Sequence, residues 1–460
     1  MWTILGGLLV LPSKTGIKID MVPAIDKTSV SGICALIGCM IFIGRRRRHV
    51  PIGPGIFGAL ILLYAFGPIL TSLNNSDTLF YGERVLPGVG WYDGISASIT
   101  QILVFLPFLV GQRYFQSIRG LEIVFRALIV AGCIFSIPML VEIRMSPQLS
   151  RWIYGFFPSG FSSEMRYGGY RPVVFMDNGL TAAFFLLTCM IASVVLWRGG
   201  EAAARSKRAA ISAYLFAVLI ACKSGGALFY AVSCGPVARL AKPKTQLRVA
   251  VLIVCFCLLY PLLRITGTVP DGKILGVSSF FSQERAESLG FRFDQEKEIM
   301  ARSAERIAFG WGRYGRNRVY DENGKDISVT DGAWIITLSQ FGLAGFLAQF
   351  GLLGLPTFQA FRAVKRAQRR RDQLLLAGLT LIVSLNLIEQ IPNASINSWT
   401  WFLSGVLLGQ SQRLLKRRAS ADSVSALRTS PFLSDAQVPK AAFLAAPRYE
   451  MKVGSSGKVR

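Results

Sequence analysis

The sequence predicts an all-α, polytopic membrane protein: a bundle of about twelve transmembrane helices with a large polar loop on one side. The first observation behind this is hydropathy. The 460 residues are 52% hydrophobic, with a mean hydropathy of +0.44. The apolar residues gather into continuous runs, and a bilayer crossing takes ~20 of them. Lipid cannot satisfy backbone N–H and C=O groups, so spans must be helices or a closed barrel. Continuous rather than alternating runs select helices. The second observation is where the charge sits. The formal net charge of +25 would by itself admit a nucleic-acid binder. Instead, Lys and Arg cluster in short runs between apolar segments, the positive-inside pattern. The expected partner is therefore the lipid bilayer and not nucleic acid.

The expected spans are 2–12, 28–44, 52–72, 95–115, 120–141, 179–197, 209–222, 225–240, 248–264, 332–358, 374–390 and 398–412. The first is short and lacks the basic start and small-residue cleavage site of a signal peptide. The connections fall into two sets. "RRRRH", "RGGEAAARSKR", "RLAKPKTQLR", "FRAVKRAQRRRD" and "QRLLKRR" are dense in Lys and Arg, with Glu201 and Asp372 the only acids. These are expected to be cytoplasmic. The other set, 13–27, 73–94, 142–178, 265–331 and 391–397, mixes both signs and holds most carboxylates. Both termini then fall in the cytoplasm. Residues 1–412 form the transmembrane domain, with the large outer loop 265–331 inside it. Residues 413–460, rich in Ser and Ala without periodicity, are expected to be a disordered cytoplasmic tail.

The eight cysteines lie within or at the ends of apolar segments and form no Cys-x-x-Cys pair. The single histidine, His49, rules out a zinc site built on histidines. No metal or cofactor is expected.

Loops held by a rigid scaffold tend to carry chemistry, so the outer loops come next. "FDQEKEIMARSAERIAFGWG" reads as a helix over 293–312, with Asp294 as N-cap and Glu296 and Glu298 in its first turn. Met300, Ala304, Ile307 and Ala308 would share one face, and Arg302 and Arg306 the opposite one. Those arginines suit either lipid headgroups or an anionic ligand. Arg285, Arg292, Arg313, Arg316 and Arg318 surround this helix, and Arg151, Arg166 and Arg171 lie in 142–178. Many must pair with local acids; a remainder could grip phosphate oxygens through the guanidinium fork. "GWGRYG" (310–315) spells G-x-G-x-x-G but follows a helix rather than a strand, which excludes a dinucleotide site. Its glycines are expected to turn the chain and bring Arg313 and Arg316 together. Inside the spans, Glu389 and Asn386 are the clearest polar groups: functional by default, or snorkelling residues at the interface.

Three stretches carry a resemblance. "YRPVVFMDNGLTAAFFLL" (170–187), "ACKSGGALFYAV" (221–232) and "RIAFGWGRYG…DGAWIITLSQFGLAGFLAQFGLL" are similar to motifs of the O-antigen ligase and polymerase family of bacterial envelope glycosyltransferases. The layout, with a large outer loop before the last three helices, resembles that family as well. The resemblance implies a GT-C-like fold and a donor glycan on undecaprenyl pyrophosphate. It also implies chain-length regulator and flippase proteins as partners, and an inner-membrane location. It makes Arg171 and Lys223 the leading pyrophosphate ligands; Arg285 and Arg292, seven residues apart and on one face if helical, come next on their spacing, then Arg313 and Arg316 from the glycine turn. The sequence departs from the pattern where the family's ligases carry a histidine after the large loop: Asp331-Gly332 stands there. Gln340 replaces the family's Glu, and "KSGG" its Arg-containing turn. Asp331 is then either the base that takes the proton from a sugar hydroxyl or the N-cap of the next helix. The missing histidine favours a polymerase of lipid-linked units for exopolysaccharide, capsule or O-antigen. A ligase to lipid A core and a lipid-linked glycan transporter are the alternatives.

Overall fold

The computed structural model describes residues 1–429 apart from 20–21, 44–51, 53–54, 167, 200–203 and 282. The chain starts with helix α1 (Trp2–Val10), the hairpin β1 (Gly16–Ile19) and β2 (Val22–Asp26), and helices α2 (Lys27–Ile43) and α3 (Ile56–Leu73). A second hairpin, β3 (Leu79–Tyr81) and β4 (Arg84–Leu86), leads to α4 (Trp91–Tyr114), α5 (Ile118–Met145) and the short α6 (Leu149–Tyr154). A third, β5 (Met165–Arg166) and β6 (Gly169–Tyr170), precedes α7 (Gly179–Gly199), α8 (Arg205–Ala221), α9 (Gly225–Leu240) and α10 (Pro243–Ile265). The large loop holds α11 (Asp271–Phe281) and α12 (Gln283–Ala304). After it come α13 (Ala333–Ala363), α14 (Arg370–Ile388) and α15 (Ser398–Thr429).

Every expected span falls on a helix. Among the described residues seven are long and apolar enough to cross a membrane: α3, α4, α5, α7, α10, α13 with the turn after it, and α14. The chain is an all-α, membrane-embedded protein. Helix starts are set locally. Asp26 Oδ1 accepts from Ser29 N (2.8 Å) at α2, Ser117 Oγ from Gly120 N (3.0 Å) at α5, and Asn178 Oδ1 from Thr181 N (2.9 Å) at α7. Helix α7 is buried nearly all round, packed by α5, α8, α9 and α14, and is the axis of the first core. A second core gathers Tyr64, Phe105, Trp334, Phe350 and Trp401 from α3, α4, α13 and α15.

Contacts define two ends of the bundle. At one, the long polar loops interlock: Ser13 Oγ donates to Phe175 O, Thr71 Oγ1 to Phe309 O and Ala333 N to Asn393 O. At the other, the basic one, Arg371 pairs with Glu122 and Arg198 bonds the carbonyls of Ala238 and Ala241.

Helix α13 is broken. Gly342 takes φ 66°, ψ −166°, a conformation open essentially to glycine alone. The large loop fills the break with its own backbone. Trp311 N and Gly312 N donate to the carbonyls of Ser339 and Gln340 (2.9 and 2.8 Å). Leu343 N and Ala344 N donate to those of Ile307 and Ala308 (2.7 and 3.1 Å).

Several expectations are corrected. The helix expected over 293–312 starts at Gln283 and ends at Ala304, so Asp294 lies in its interior and is not its cap. Ile307 and Ala308 belong to the segment that enters the α13 break rather than to a helix face. The last helix continues to Thr429, through residues expected to be disordered, and 430–460 lie outside the described residues. Met1–Leu415 forms one compact unit.

Candidate functional site

Asp331 lies in the wall of a cavity of about 440 Å³ at the polar-loop end, within the size range of small-molecule sites. Tyr260 and Leu263 of α10, Ile274 of α11, Phe291 of α12, Ile335 of α13 and Ile391 make its lining mostly apolar. Against this wall Asp331 Oδ2 meets Arg292 Nε at 2.9 Å, each side chain still more than a third exposed. Asp331 is not the helix cap. Gly332 occupies that position, and no side-chain bond caps α13. Helix α12 supplies Arg292 and, one turn on, Glu296, which is ion-paired with Arg264 Nε at 3.0 Å. Arg264 is itself occupied by Asp271 and the carbonyl of Phe293. Burial pushes the Glu296 carboxyl above its ordinary value, against the opposing pull of Arg264.

Glu389, behind the cavity, is buried rather than snorkelling. Its Oε1 accepts from Asn393 Nδ2 at 2.7 Å, and the charge of Arg292 bears on it. Asn386 is buried too, accepting from Trp399 Nε1 (2.8 Å) and donating to Ile382 O (2.9 Å). Arg292 thus pairs with Asp331 before α13, and its charge also reaches Glu389 after α14.

Arg171 and Lys223 form a different group and do not line the cavity. Arg171 is buried 3.7 Å from Glu164 Oε2. Its stem and that carboxylate crowd Gly179 at the start of α7, where a Cβ would collide with both. Burial holds the Arg171 guanidinium below its usual value, with Glu164 opposing. The turn after Arg171 is fixed by buried Glu142, whose Oε2 accepts from Val173 N and Val174 N, both at 2.7 Å. Val174 pays for that turn with φ 55°. Lys223 has a left-handed backbone (φ 52°) and lays its Nζ against Gly169, two residues from Arg171. The structure therefore brings Arg171 and Lys223 into one neighbourhood, with Glu164 as a carboxylate that sequence reasoning missed.

The remaining arginines separate. Arg285 lies on α12, seven residues before Arg292, but its side chain is outside the described residues. Gly310 and Gly312 turn the chain at φ 71° and 81°, yet Arg313 and Arg316 go to different partners. Half-buried Arg313 stands over Phe341 at 5.8 Å, and burial lowers its pKa. Arg316 is fully buried, bonded to the carbonyls of Asp77 and Pro87 (2.9 and 3.0 Å) and to Asp77 Oδ1 (3.1 Å). Its terminal nitrogens are thus taken up by protein oxygens, and its Nε is buried without a partner. Arg306 forks onto Asp77 (3.0 and 2.8 Å), Arg302 holds Glu305 (2.7 Å), and both guanidinium groups stack on Trp311. Asp77, 229 residues before Arg306 and 239 before Arg316, has no signal in the sequence that would pair it with either. Among the described residues, no three or more His, Cys, Asp and Glu side chains stand together as metal ligands would.

The arrangement can hold an anion on Arg292, accept a proton on Asp331 and shelter hydrocarbon against the apolar wall. No protein-family model matches this chain, and no curated protein matches it.

Proposed function

We propose that the chain is a bacterial inner-membrane glycosyltransferase, with both termini cytoplasmic. It polymerises oligosaccharide units carried on undecaprenyl pyrophosphate for exopolysaccharide, capsule or O-antigen. The observation that carries this reading is the Asp331–Arg292 pair in the wall of an apolar cavity at the polar-loop end. In the reaction, Asp331 takes the proton of the acceptor hydroxyl. The hydroxyl oxygen bonds to C1 of the donor sugar as the C1–O bond to pyrophosphate breaks, and the electron pair leaves on the pyrophosphate. Arg292 releases Asp331 and holds the leaving oxygens; each charged hydrogen bond is worth ~1.5–3 kcal/mol. The wall from Tyr260 to Ile391 takes the first isoprenes. Arg171 and Lys223 hold a second polar part of a substrate at the same end.

The broken α13 favours one competing reading, since transporters coordinate cargo at interrupted helices. Here the carbonyls of Ser339 and Gln340 and the amides of Leu343 and Ala344 at the break are all bonded to residues 307–312. That observation supports the enzyme.

The test is the size distribution of carrier-linked and surface glycans in cells lacking the chain, complemented with wild type or Asp331→Asn. The proposal expects single repeat units to accumulate and long chains to vanish in the deletion and in Asp331→Asn alike. Long chains persisting on the carrier would make the protein a ligase. Unchanged pools would refute glycan transfer altogether.

A further inference from the structure

A second cavity lies far from Asp331. Helices α8 and α9 both pack along α7 and much less on each other. They leave an open groove of about 650 Å³ lined by Met190, Trp197, Ala213, Phe216, Ala231 and Pro236 among others. Its lining is almost wholly apolar. From Met190 to Trp197 it runs along α7 for about 10 Å, from the middle of the bundle to the basic end. Ala210, Ala213, Val232 and Pro236 are exposed along it, so it opens sideways to the bilayer.

The mouth is cationic. Arg239 stands over the Trp197 ring at 4.2 Å, and its charge bears on Arg198. Arg198 and Arg208 are anchored by backbone carbonyls, of Ala241 and Leu196 respectively, and Arg205 and Lys207 are exposed on the first turn of α8. Among the described residues, none of these five cations pairs with a carboxylate. The polar-loop end is the opposite case, where Arg264, Arg302, Arg306 and Arg316 each have an acid. A hydrocarbon slot that opens to lipid and ends under a cluster of cations and a tryptophan matches one molecule: a phospholipid with an anionic headgroup.

We propose that the α7–α8–α9 groove is a binding site for an anionic phospholipid of the surrounding bilayer, acyl chain against Ala213 and Phe216, headgroup phosphate on Arg239 and Arg208. This site is independent of the reading of the Asp331 cavity.

The test uses the full chain purified in detergent, with phosphatidylglycerol and phosphatidylcholine added separately and bound lipid counted by native mass spectrometry. The expected result is a phosphatidylglycerol adduct at least fivefold more populated than that of phosphatidylcholine. Ala213→Phe, which fills the groove, should remove it. Arg239→Gln should cut the preference about fivefold, since each cation near an anionic surface contributes about that factor. A second measurement reads the lipid in the wild-type groove. Phosphatidylglycerol with brominated acyl chains should quench a fluorescence component that is missing in Trp197→Phe. Equal binding of the two lipids, an adduct that survives Ala213→Phe, or no quenching assignable to Trp197 would each overturn the proposal. So would a loss of dimer rather than of lipid in Ala213→Phe, which would put a second copy of the chain in the groove.

Discussion

Gly342→Ala tests how the large loop is held. The native backbone there, φ 66° and ψ −166°, is strained for any residue with a Cβ, at a cost of about 1–3 kcal/mol. The added carbon would also run into the carbonyl of Ala308 and the amide of Phe309. Relieving that collision means pushing 307–309 away from α13, which breaks the bonds from Leu343 N and Ala344 N. Two backbone hydrogen bonds at ~0.5–1.5 kcal/mol each bring the expected loss to about 4 kcal/mol. The assay is equilibrium unfolding of the purified chain in mixed micelles. Gly38→Ala serves as control, because its added Cβ would meet nothing within 4 Å outside the adjoining backbone of its own helix. If Gly342→Ala unfolded within ~1 kcal/mol of the control, the docking of 307–312 into the break would not be what holds this helix.

Asp331→Asn should lower glycan transfer by ~10²–10⁴ while leaving the unfolding midpoint nearly unchanged, because Gly332 and not Asp331 holds the N-cap position of α13; turnover with lipid-linked donor alongside unfolding checks both halves. Gly169→Val should displace Lys223 and raise KM for the lipid-linked substrate without unfolding the bundle, measured by substrate titration of the same assay. Asp77 is held below the usual carboxylate range chiefly by its hydrogen bond from Arg306. A depressed acid contributes stability above its unfolded pKa of ~3.9 and loses it as pH falls through the folded value. The stability gap between wild type and Asp77→Asn should therefore be full at neutral pH and close below about pH 4, as read from thermal unfolding across pH.

The helices were legible because a continuous apolar run becomes a helix in lipid: each expected span overlaps a helix, though among the described residues seven of them are long and apolar enough to cross a membrane and the last runs on to Thr429. The break in α13 was not. "SQFGLAGF" reads as an uninterrupted helix, since glycine is common in membrane helices. Its cause, the backbone of Ile307–Gly312, lies some thirty residues away in sequence. The three hairpins were missed for a related reason: β1 to β6 are two to five residues long, too short for alternation to register. Asp331 stood out as a lone acid before an apolar run. Its partner Arg292 could not be chosen from among so many arginines, because which of them an acid already occupies is decided by distant residues such as Asp77 and Glu305.

The filled break also bears on how the chain is made. Residues 307–312 leave the ribosome before 339–344, so the segment that completes α13 is already synthesised when that helix enters the bilayer. Were the order reversed, four backbone groups would wait in lipid without partners, each at a cost of several kcal/mol. The α13 interruption thus has its partner segment made before it. A circular permutant that moved 265–331 behind α15 would have to insert a helix it could not yet finish.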